Sequence, residues 1–178
     1  MKAFYFAKTK KQLRYNDNRS IVVGETHTIE QAPKCCKVGL HASIRLIDAL
    51  KYAPGPILYL VELSGEIDVA NDKIAAQSRT YLKEFDATDV LNKFARLQGL
   101  INIEKIKPYC NSEDYVLIIK WLETGEETLR SAAWSAARSA AESAAESATW
   151  SATAESAAWS AADELLVNLI KEASNWDI

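Results

Sequence analysis

The sequence has few of the residues that build metal centres and disulfide frameworks. Its 178 residues include only three cysteines and two histidines. Cys35 and Cys36 are adjacent and Cys110 is remote from them, so the set is odd and contains no CxxC spacing. Such a set argues against both a disulfide framework and a zinc site. We therefore expect free thiols, no metal and no other cofactor.

Long hydrophobic runs are also missing. No stretch approaches the roughly 20 apolar residues that a membrane-spanning helix needs, and the first residues lack a signal-peptide core. We expect a soluble, cytoplasmic protein that does not contact a membrane.

Basic residues are scarce in the last part of the chain. Residues 1–124 hold 18 Lys and Arg against 15 Asp and Glu, whereas residues 125–178 hold 3 against 9, so the two parts carry about +3 and −6. This contrast permits contact between the head of one copy and the tail of another. It is too weak to indicate nucleic-acid binding.

Glycine and proline are absent from residues 131–163, where a tetrapeptide that begins with Ser is written eight times with one extra residue. Alanine is the strongest helix former, so this stretch predicts one long helix over residues 126–174. An alternative is a solvated low-complexity helix. Tryptophans make close packing through Ala and Ser the preferred interpretation, because exposed indole rings are unfavourable.

The tail is predicted to mediate self-association. On an ideal helix Trp134 and Trp159 lie within about 20° of each other, while Trp150 points nearly opposite. A single partner along one side cannot bury all three rings, so we expect a homo-oligomer rather than a folded-back hairpin. After the repeats, Leu165 and Leu169 belong to an apolar stripe that must pack against something.

The head predicts an α+β fold, with a small, mostly antiparallel sheet and packed helices, followed by the long Ala/Ser-rich C-terminal helix. Alternating and apolar runs predict strands at residues 2–8, 21–23, 26–29, 57–63 and 65–69, and a further strand, AQSRTYLKEF, within residues 73–85. Helices are predicted at residues 44–52 with Ser43 as N-cap, at 89–105 with Thr88 as N-cap, and at 115–122. We divide the chain into a strand-rich head (1–87), a helical part of the head (88–125) and the tail (126–178).

Basic residues suggest an anion-binding surface. The loop after the first strand contains Lys10, Lys11, Arg14 and Tyr15, a combination that can hold a phosphate and stack a base. Strict alternation over residues 79–83 places Arg79, Tyr81 and Lys83 on one side of their strand. A solvated loop through the turn-prone NDNRS segment is the simpler alternative.

His41 follows a glycine turn and is a further candidate ligand-binding residue. Cys35 and Cys36 precede it closely, so a Cys/His nucleophile pair is conceivable, although closeness in sequence is not the geometry that such catalysis needs.

Three segments carry a family resemblance: CKVGLHASIRLIDALKYAPGPILYLVELSGEI, NDKIAAQSRTYLKEFDATDVLNKFAR and WLETGEETLRSAAWSAARSAA. They resemble a family of uncharacterised proteins, mostly encoded by phages and prophages, with an N-terminal domain of unknown function and an Ala-rich repeat tail. The resemblance implies a phage context and transfers no catalytic residue. It therefore suggests an accessory protein in the host cytoplasm that binds a host partner or a nucleotide signal and counteracts host defence.

An enzyme is the alternative. The order of strand, loop, GLHAS, helix and apolar strand is similar to the nicotinamide-binding half of ADP-ribosyltransferases, with His41, Tyr59 and Glu62 as conceivable participants. The arginine, Ser-Thr-Ser and Glu-x-Glu elements of those enzymes are missing. A non-catalytic binding protein is the preferred hypothesis.

Overall fold

A long antiparallel hairpin lies at the centre of the sheet. Strand β4 (Ile57–Val69) pairs with strand β5 (Ile74–Asp86), and each is 13 residues long. The first half of β4 is buried on both faces, which explains its continuous apolar sequence. The strand predicted at residues 57–63 is therefore found, as the first half of β4.

The computed structural model describes residues 1–145 and 155–178, without the side chains of 141–157 and 159. These residues form two compact units. Unit 1 contains Met1–Val90 and Trp159–Ile178, and unit 2 contains Leu91–Ala158.

Three shorter strands complete the sheet of unit 1. Strand β1 (Lys2–Ala7) pairs with β4. Strands β2 (Thr26–Thr28) and β3 (Leu40–Ala42) both pair with β5, at different positions along it. All pairs are antiparallel, with the order β1-β4-β5-β2. The predicted α+β class is confirmed, but residues 21–23 do not form the predicted strand.

A β-bulge in β5 overturns one prediction from alternation. Val61 lies opposite Tyr81, and the preceding residue of β4, Leu60, lies opposite Lys83, so Leu82 is an extra residue. Because opposite residues of a pair share a face, Lys83 lies on the face away from Arg79. The prediction that these two cations share one side is therefore wrong.

The same bulge brings Glu84 to the face of Tyr81. Glu84 lies opposite Tyr59, and its carboxylate accepts a 2.6 Å hydrogen bond from the Tyr59 hydroxyl. On this face, Glu84 therefore occupies the place that simple alternation assigns to Lys83.

The start of helix α1 (Leu46–Lys51) is capped by the side chain of a residue from the far end of the chain. The Asp163 carboxylate accepts hydrogen bonds from the Ile47 amide at 2.9 Å and from Arg45 Nε at 3.2 Å. Ser43, the predicted cap, instead donates its hydroxyl to the Asp72 carbonyl. It cannot cap because it lies three residues before the helix and pairs with Phe4.

The end of the chain packs within unit 1. Helix α5 (Glu155–Ser174) buries Leu166, Leu169 and Ile170, and the Trp176 ring that follows it lies 6.2 Å from the Phe85 ring. The predicted apolar stripe is therefore found. Leu169 is buried and Leu165 partly buried inside the chain's own fold.

Unit 2 is helical. Helix α2 (Thr88–Asn102) leads from unit 1 into two 3-10 turns, Ile103–Lys105 and Lys107–Tyr109. Its first amide, that of Thr88, bonds to Asp86, so Asp86 and not Thr88 supplies the side-chain acceptor. Helix α3 (Ser112–Thr124) follows, capped by the side chain of Asn111.

Helix α4 (Glu127–Ala145) packs on α3 through small residues. Ala133, Ala136 and Ala140 are buried, while Trp134 is 66% exposed. Close packing of the Ala/Ser repeat is therefore observed for this segment. Residues 146–154, including Trp150, and the side chain of Trp159 lie outside the described residues, so the predicted continuity of the helix stays a prediction.

Candidate functional site

Unit 1 contains a cavity of about 590 Å3 between the sheet and the loops that precede β3. Its lining includes three aromatic residues and four cationic ones. These are Tyr5, Tyr15, Tyr52, Arg14, Lys37, Lys73 and Arg79. The cavity therefore combines cations and aromatic rings in one space.

The basic loop forms one wall because it folds back as a small hairpin. Gln12 bridges to Ser20, and the Asp17 amide bonds to the Arg14 carbonyl at 3.3 Å. Tyr15 and Asn16 both have positive φ, 61° and 65°, as a type I′ turn requires. Left-handed backbone is unfavourable for a bulky residue, yet it holds the 86% exposed Tyr15 at the hairpin tip.

A glycine allows the loop before β3 to approach the sheet. Gly39 has φ 138°, and a Cβ placed there would lie 2.7 Å from the Cβ of Ala75 on β5. No other residue fits without displacing this contact. Gly39 thus helps to set the position of His41, two residues further on, at the cavity wall.

Arg79 lies at the buried end of this space, with 2% of its surface exposed. Its Nε and Nη2 donate to the Tyr81 hydroxyl at 3.1 and 2.8 Å, and its Nη1 donates to the His41 carbonyl at 2.6 Å. The guanidinium carbon lies 3.7 Å from the centre of the Tyr5 ring. These contacts, with residues of β1, β3 and β5, fix the position of the guanidinium.

Arg79 has no carboxylate partner among the described residues. A guanidinium carries five N–H groups, and the hydrogen bonds above use three of them. Burying a charge without an opposite charge is costly, and such groups usually have a partner. The missing negative charge is the most informative feature of the cavity.

The rest of the lining does not supply that charge. Four cationic residues face a single acid, Asp17, whose carboxylate lies 2.7 Å from Arg19 Nη2. That bond with Arg19 lowers the pKa of Asp17. The lining therefore carries a surplus of positive charge that favours an anion.

Tyr52 organises the rim of the cavity. Arg14 donates to its carbonyl at 3.1 Å, and Lys73 Nζ lies 3.2 Å from its hydroxyl and 4.4 Å from its ring centre. Contacts with Cys36 and Tyr52 raise the pKa of Lys73 above its ordinary value, which keeps the amine charged. The Tyr52 hydroxyl itself donates to Asp72.

His41 lines the cavity, and its ring is hydrogen-bonded to the backbone. Its Nε2 accepts a 3.3 Å hydrogen bond from the Cys36 amide, which requires an unprotonated nitrogen there. Burial lowers the pKa of His41, and the charges of Lys73 and Arg79 act in the same sense while a backbone bond with Gly39 opposes them. The imidazole is therefore held neutral.

Four of the predicted ligand-binding residues converge on the cavity, and three do not. Arg14, Tyr15, His41 and Arg79 line it. The other three are Lys10, Lys11 and Lys83, which are absent from the lining. Lys11 instead forms a 2.6 Å ion pair with Glu84.

The residues considered for an ADP-ribosyltransferase do not converge. Tyr59 is fully buried and donates to Glu84, and burial together with this bond raises its pKa. Glu62 is exposed and, three residues further along a regular stretch of β4, lies on the other face of the sheet. Only His41 reaches the cavity.

The cysteines do not form a nucleophile pair with histidine. The amide of Cys36, not its thiol, contacts His41, and Cys35 Sγ donates to the Asp68 carbonyl at 3.2 Å. Burial raises the pKa of the Cys35 thiol. Within the described part of the chain, no three His, Cys, Asp or Glu residues are grouped to hold a metal ion.

Among the cationic and tyrosine residues of the lining, sequence reasoning missed four: Tyr5, Lys37, Tyr52 and Lys73. They come from four separate segments of the chain, which tertiary packing brings together. The Asp72-Lys73 turn of the β4–β5 hairpin gave the only local signal, because charged residues at a hairpin end often serve function.

The structure is that of an α+β domain whose antiparallel sheet carries a cationic, tyrosine-lined cavity. The profile of a family described as a domain of unknown function, DUF7666, matches residues 2–93, just over half of the 178-residue chain. The chain belongs to this family, and the lining residues all lie within the matched segment. Comparison with curated proteins found no match, and neither did comparison with solved structures.

The described helices also bear on membrane association. None of the helices among residues 1–145 and 155–178 is both long and apolar enough to cross a membrane.

Proposed function

We propose that this protein binds a small anionic ligand of the nucleotide type in the cavity of unit 1, without chemical conversion. The observation that carries the proposal is Arg79, a buried cation whose charge no described carboxylate neutralises. A phosphate in the cavity supplies that charge. Arginine suits this role because its planar N–H groups match phosphate oxygens.

The other cations support a phosphate rather than a lone small anion. Arg14, Lys37 and Lys73 line the same space as Arg79. A charge of several units on the ligand is needed to balance them. Two phosphates, or one phosphate with further polar groups, satisfy this requirement better than a single carboxylate.

The tyrosines support a planar group beside the phosphate. Tyr15 exposes most of its ring at the hairpin tip, and Tyr52 presents its ring at the rim. Stacking of a base on an aromatic ring contributes about 1–3 kcal/mol. A volume of about 590 Å3 falls within the range typical of small-molecule sites.

Isothermal titration calorimetry of the full chain tests the proposal. The probes are AMP, ADP, ADP-ribose and inorganic phosphate, each at low and at physiological salt. We expect a nucleotide to bind more tightly than inorganic phosphate, and the affinity to fall as salt rises. A wild-type protein that binds none of the probes at millimolar concentration refutes the proposal.

Matched double variants separate the cavity from general charge. Arg14→Gln with Lys73→Gln removes two cavity cations and should weaken nucleotide binding about tenfold or more. Lys10→Gln with Lys83→Gln removes the same charge outside the lining, so binding should change less than about twofold at physiological salt. Equal losses in both variants contradict the cavity assignment.

The enzyme alternative is tested with the same protein. Incubation with NAD followed by chromatography measures release of nicotinamide. Release that His41→Ala abolishes establishes the enzyme in place of the binding protein.

The tail extends the proposal to assembly and context. We infer that helix α4 associates with other copies, since its Trp134 ring is largely exposed in the single chain. In a phage, an oligomeric protein of this kind sequesters a host nucleotide signal or engages a host defence protein in the cytoplasm. This context rests on the sequence resemblance alone.

A further inference from the structure

A buried histidine on β2 continues the hydrogen bonds of Arg79 away from the cavity. His27 is 7% exposed and pairs with Arg79 across the β2–β5 ladder. Its Nδ1 lies 3.0 Å from the Tyr81 hydroxyl, and the two rings meet edge to face with 5.2 Å between their centres. The order of contacts is therefore His27, Tyr81, Arg79, cavity.

Counting donors assigns the protonation state of His27. A phenol hydroxyl has one proton to donate and two lone pairs to accept. Both N–H groups that Arg79 directs at this oxygen are donors, at 3.1 and 2.8 Å. The hydroxyl proton therefore goes to His27 Nδ1, which must be unprotonated, and the imidazole is neutral.

The charges around His27 favour the same state. Arg19 and Arg79 are close enough to repel a positive imidazole, while Asp17 and Glu25 are acidic groups that favour it. Burial has the largest effect, and the net result lowers the pKa of His27 below its ordinary 6.5. At neutral pH the arrangement deduced from the hydrogen bonds is the populated one.

We propose that His27 is a positioning residue of the cavity: as a neutral acceptor it orients the Tyr81 hydroxyl, which then holds the Arg79 guanidinium in place for the ligand. The ligand in this inference rests on the proposed function, whereas the hydrogen bonds among His27, Tyr81 and Arg79 do not depend on it. A protonated His27 has no lone pair at Nδ1. The Tyr81 hydroxyl then loses its acceptor and Arg79 loses its fixed partner.

Nuclear magnetic resonance without ligand tests the geometry. Relative to the intrinsic exchange rate at each pH, the 15Nε–H of Arg79 in wild type should exchange slowly with water at pH 7.5, and about tenfold faster once His27 is protonated. Tyr81→Phe and His27→Phe should show the fast exchange already at pH 7.5. His27→Asn keeps an acceptor near the position of Nδ1 and does not titrate, so it should stay slow across the pH range.

Binding of AMP at pH 7.5 tests the link to the ligand, because none of the variants changes charge there. We expect Tyr81→Phe and His27→Phe to weaken AMP binding about tenfold and His27→Asn to restore it to within about threefold. An Arg79 signal that does not respond to His27 protonation, or that follows the wild-type pH profile in His27→Asn, overturns the positioning role. A responsive Arg79 signal in a protein that binds no AMP leaves His27 positioning Arg79 and refutes only the proposed function.

Discussion

Replacing Arg79 with methionine separates stability from binding. Methionine fills most of the volume of the arginine stem and carries no charge. If Arg79 is retained for a ligand, Arg79→Met should leave the folded chain nearly as stable and abolish nucleotide binding.

The expected change in stability follows from opposing contributions. The variant loses three hydrogen bonds, at roughly 1 kcal/mol each, and a cation–π contact with Tyr5 of about 2 kcal/mol. It also removes a buried guanidinium without an opposite charge, whose desolvation costs several kcal/mol. We expect the free energy of unfolding to change by less than about 2 kcal/mol, since the energy of the lost contacts and the desolvation cost that the variant removes are of similar size.

Urea unfolding with and without AMP measures both effects. At 100 times the dissociation constant, AMP should stabilise the wild type by about 2.7 kcal/mol and should not stabilise Arg79→Met. Leu63→Ala is the matched control, because Leu63 is buried directly opposite Arg79. This control should lose about 2–5 kcal/mol and still respond to AMP.

Two results contradict this reasoning. A loss above about 4 kcal/mol in Arg79→Met without ligand means that Arg79 mainly supports the fold. An AMP-dependent gain equal to that of the wild type means that the ligand does not contact Arg79.

Three further predictions concern the rest of the chain. Asp163→Ala should lower the free energy of unfolding by about 1–2 kcal/mol, measured by urea denaturation, because the Ile47 amide at the start of α1 loses its acceptor. The free energy of unfolding should decrease as pH falls through 6.5, because His27 and His41 have pKa values below that figure when folded and the unfolded chain then binds more protons. Urea unfolding at pH 7.5 and at pH 5.5 measures this decrease, and the double variant His27→Asn with His41→Gln should show a smaller one. Trp134→Ser should weaken self-association in sedimentation equilibrium, and a monomeric wild type at micromolar concentration would refute the assembly.

Local patterns predicted the elements that depend on local physics. The apolar run of β4 and the stop of α3 at Gly125, which has φ 68°, follow from neighbouring residues alone. The N-cap of α1 does not, because its acceptor, Asp163, lies 116 residues from Ile47. A helix start was recognisable in the sequence, whereas the residue that satisfies its amide depends on tertiary packing.

In the candidate site, too, local patterns predicted one feature of Arg79, while another depends on tertiary packing. Arg79 was identified because alternation placed it with Tyr81 and Lys83 on one basic side of its strand, and its burial without a carboxylate became visible only once β5 had neighbours. Regular strand alternation predicted Lys83 on the same face as Arg79, and the extra residue Leu82 makes that prediction wrong. A bulge of this kind changes which side chains share a face without changing composition or hydrophobic pattern. Here it turns a second cation away from the face of Arg79 and directs Glu84 to Tyr59 and Lys11, so the carboxylate nearest along the strand is already engaged and Arg79 keeps its charge for the cavity.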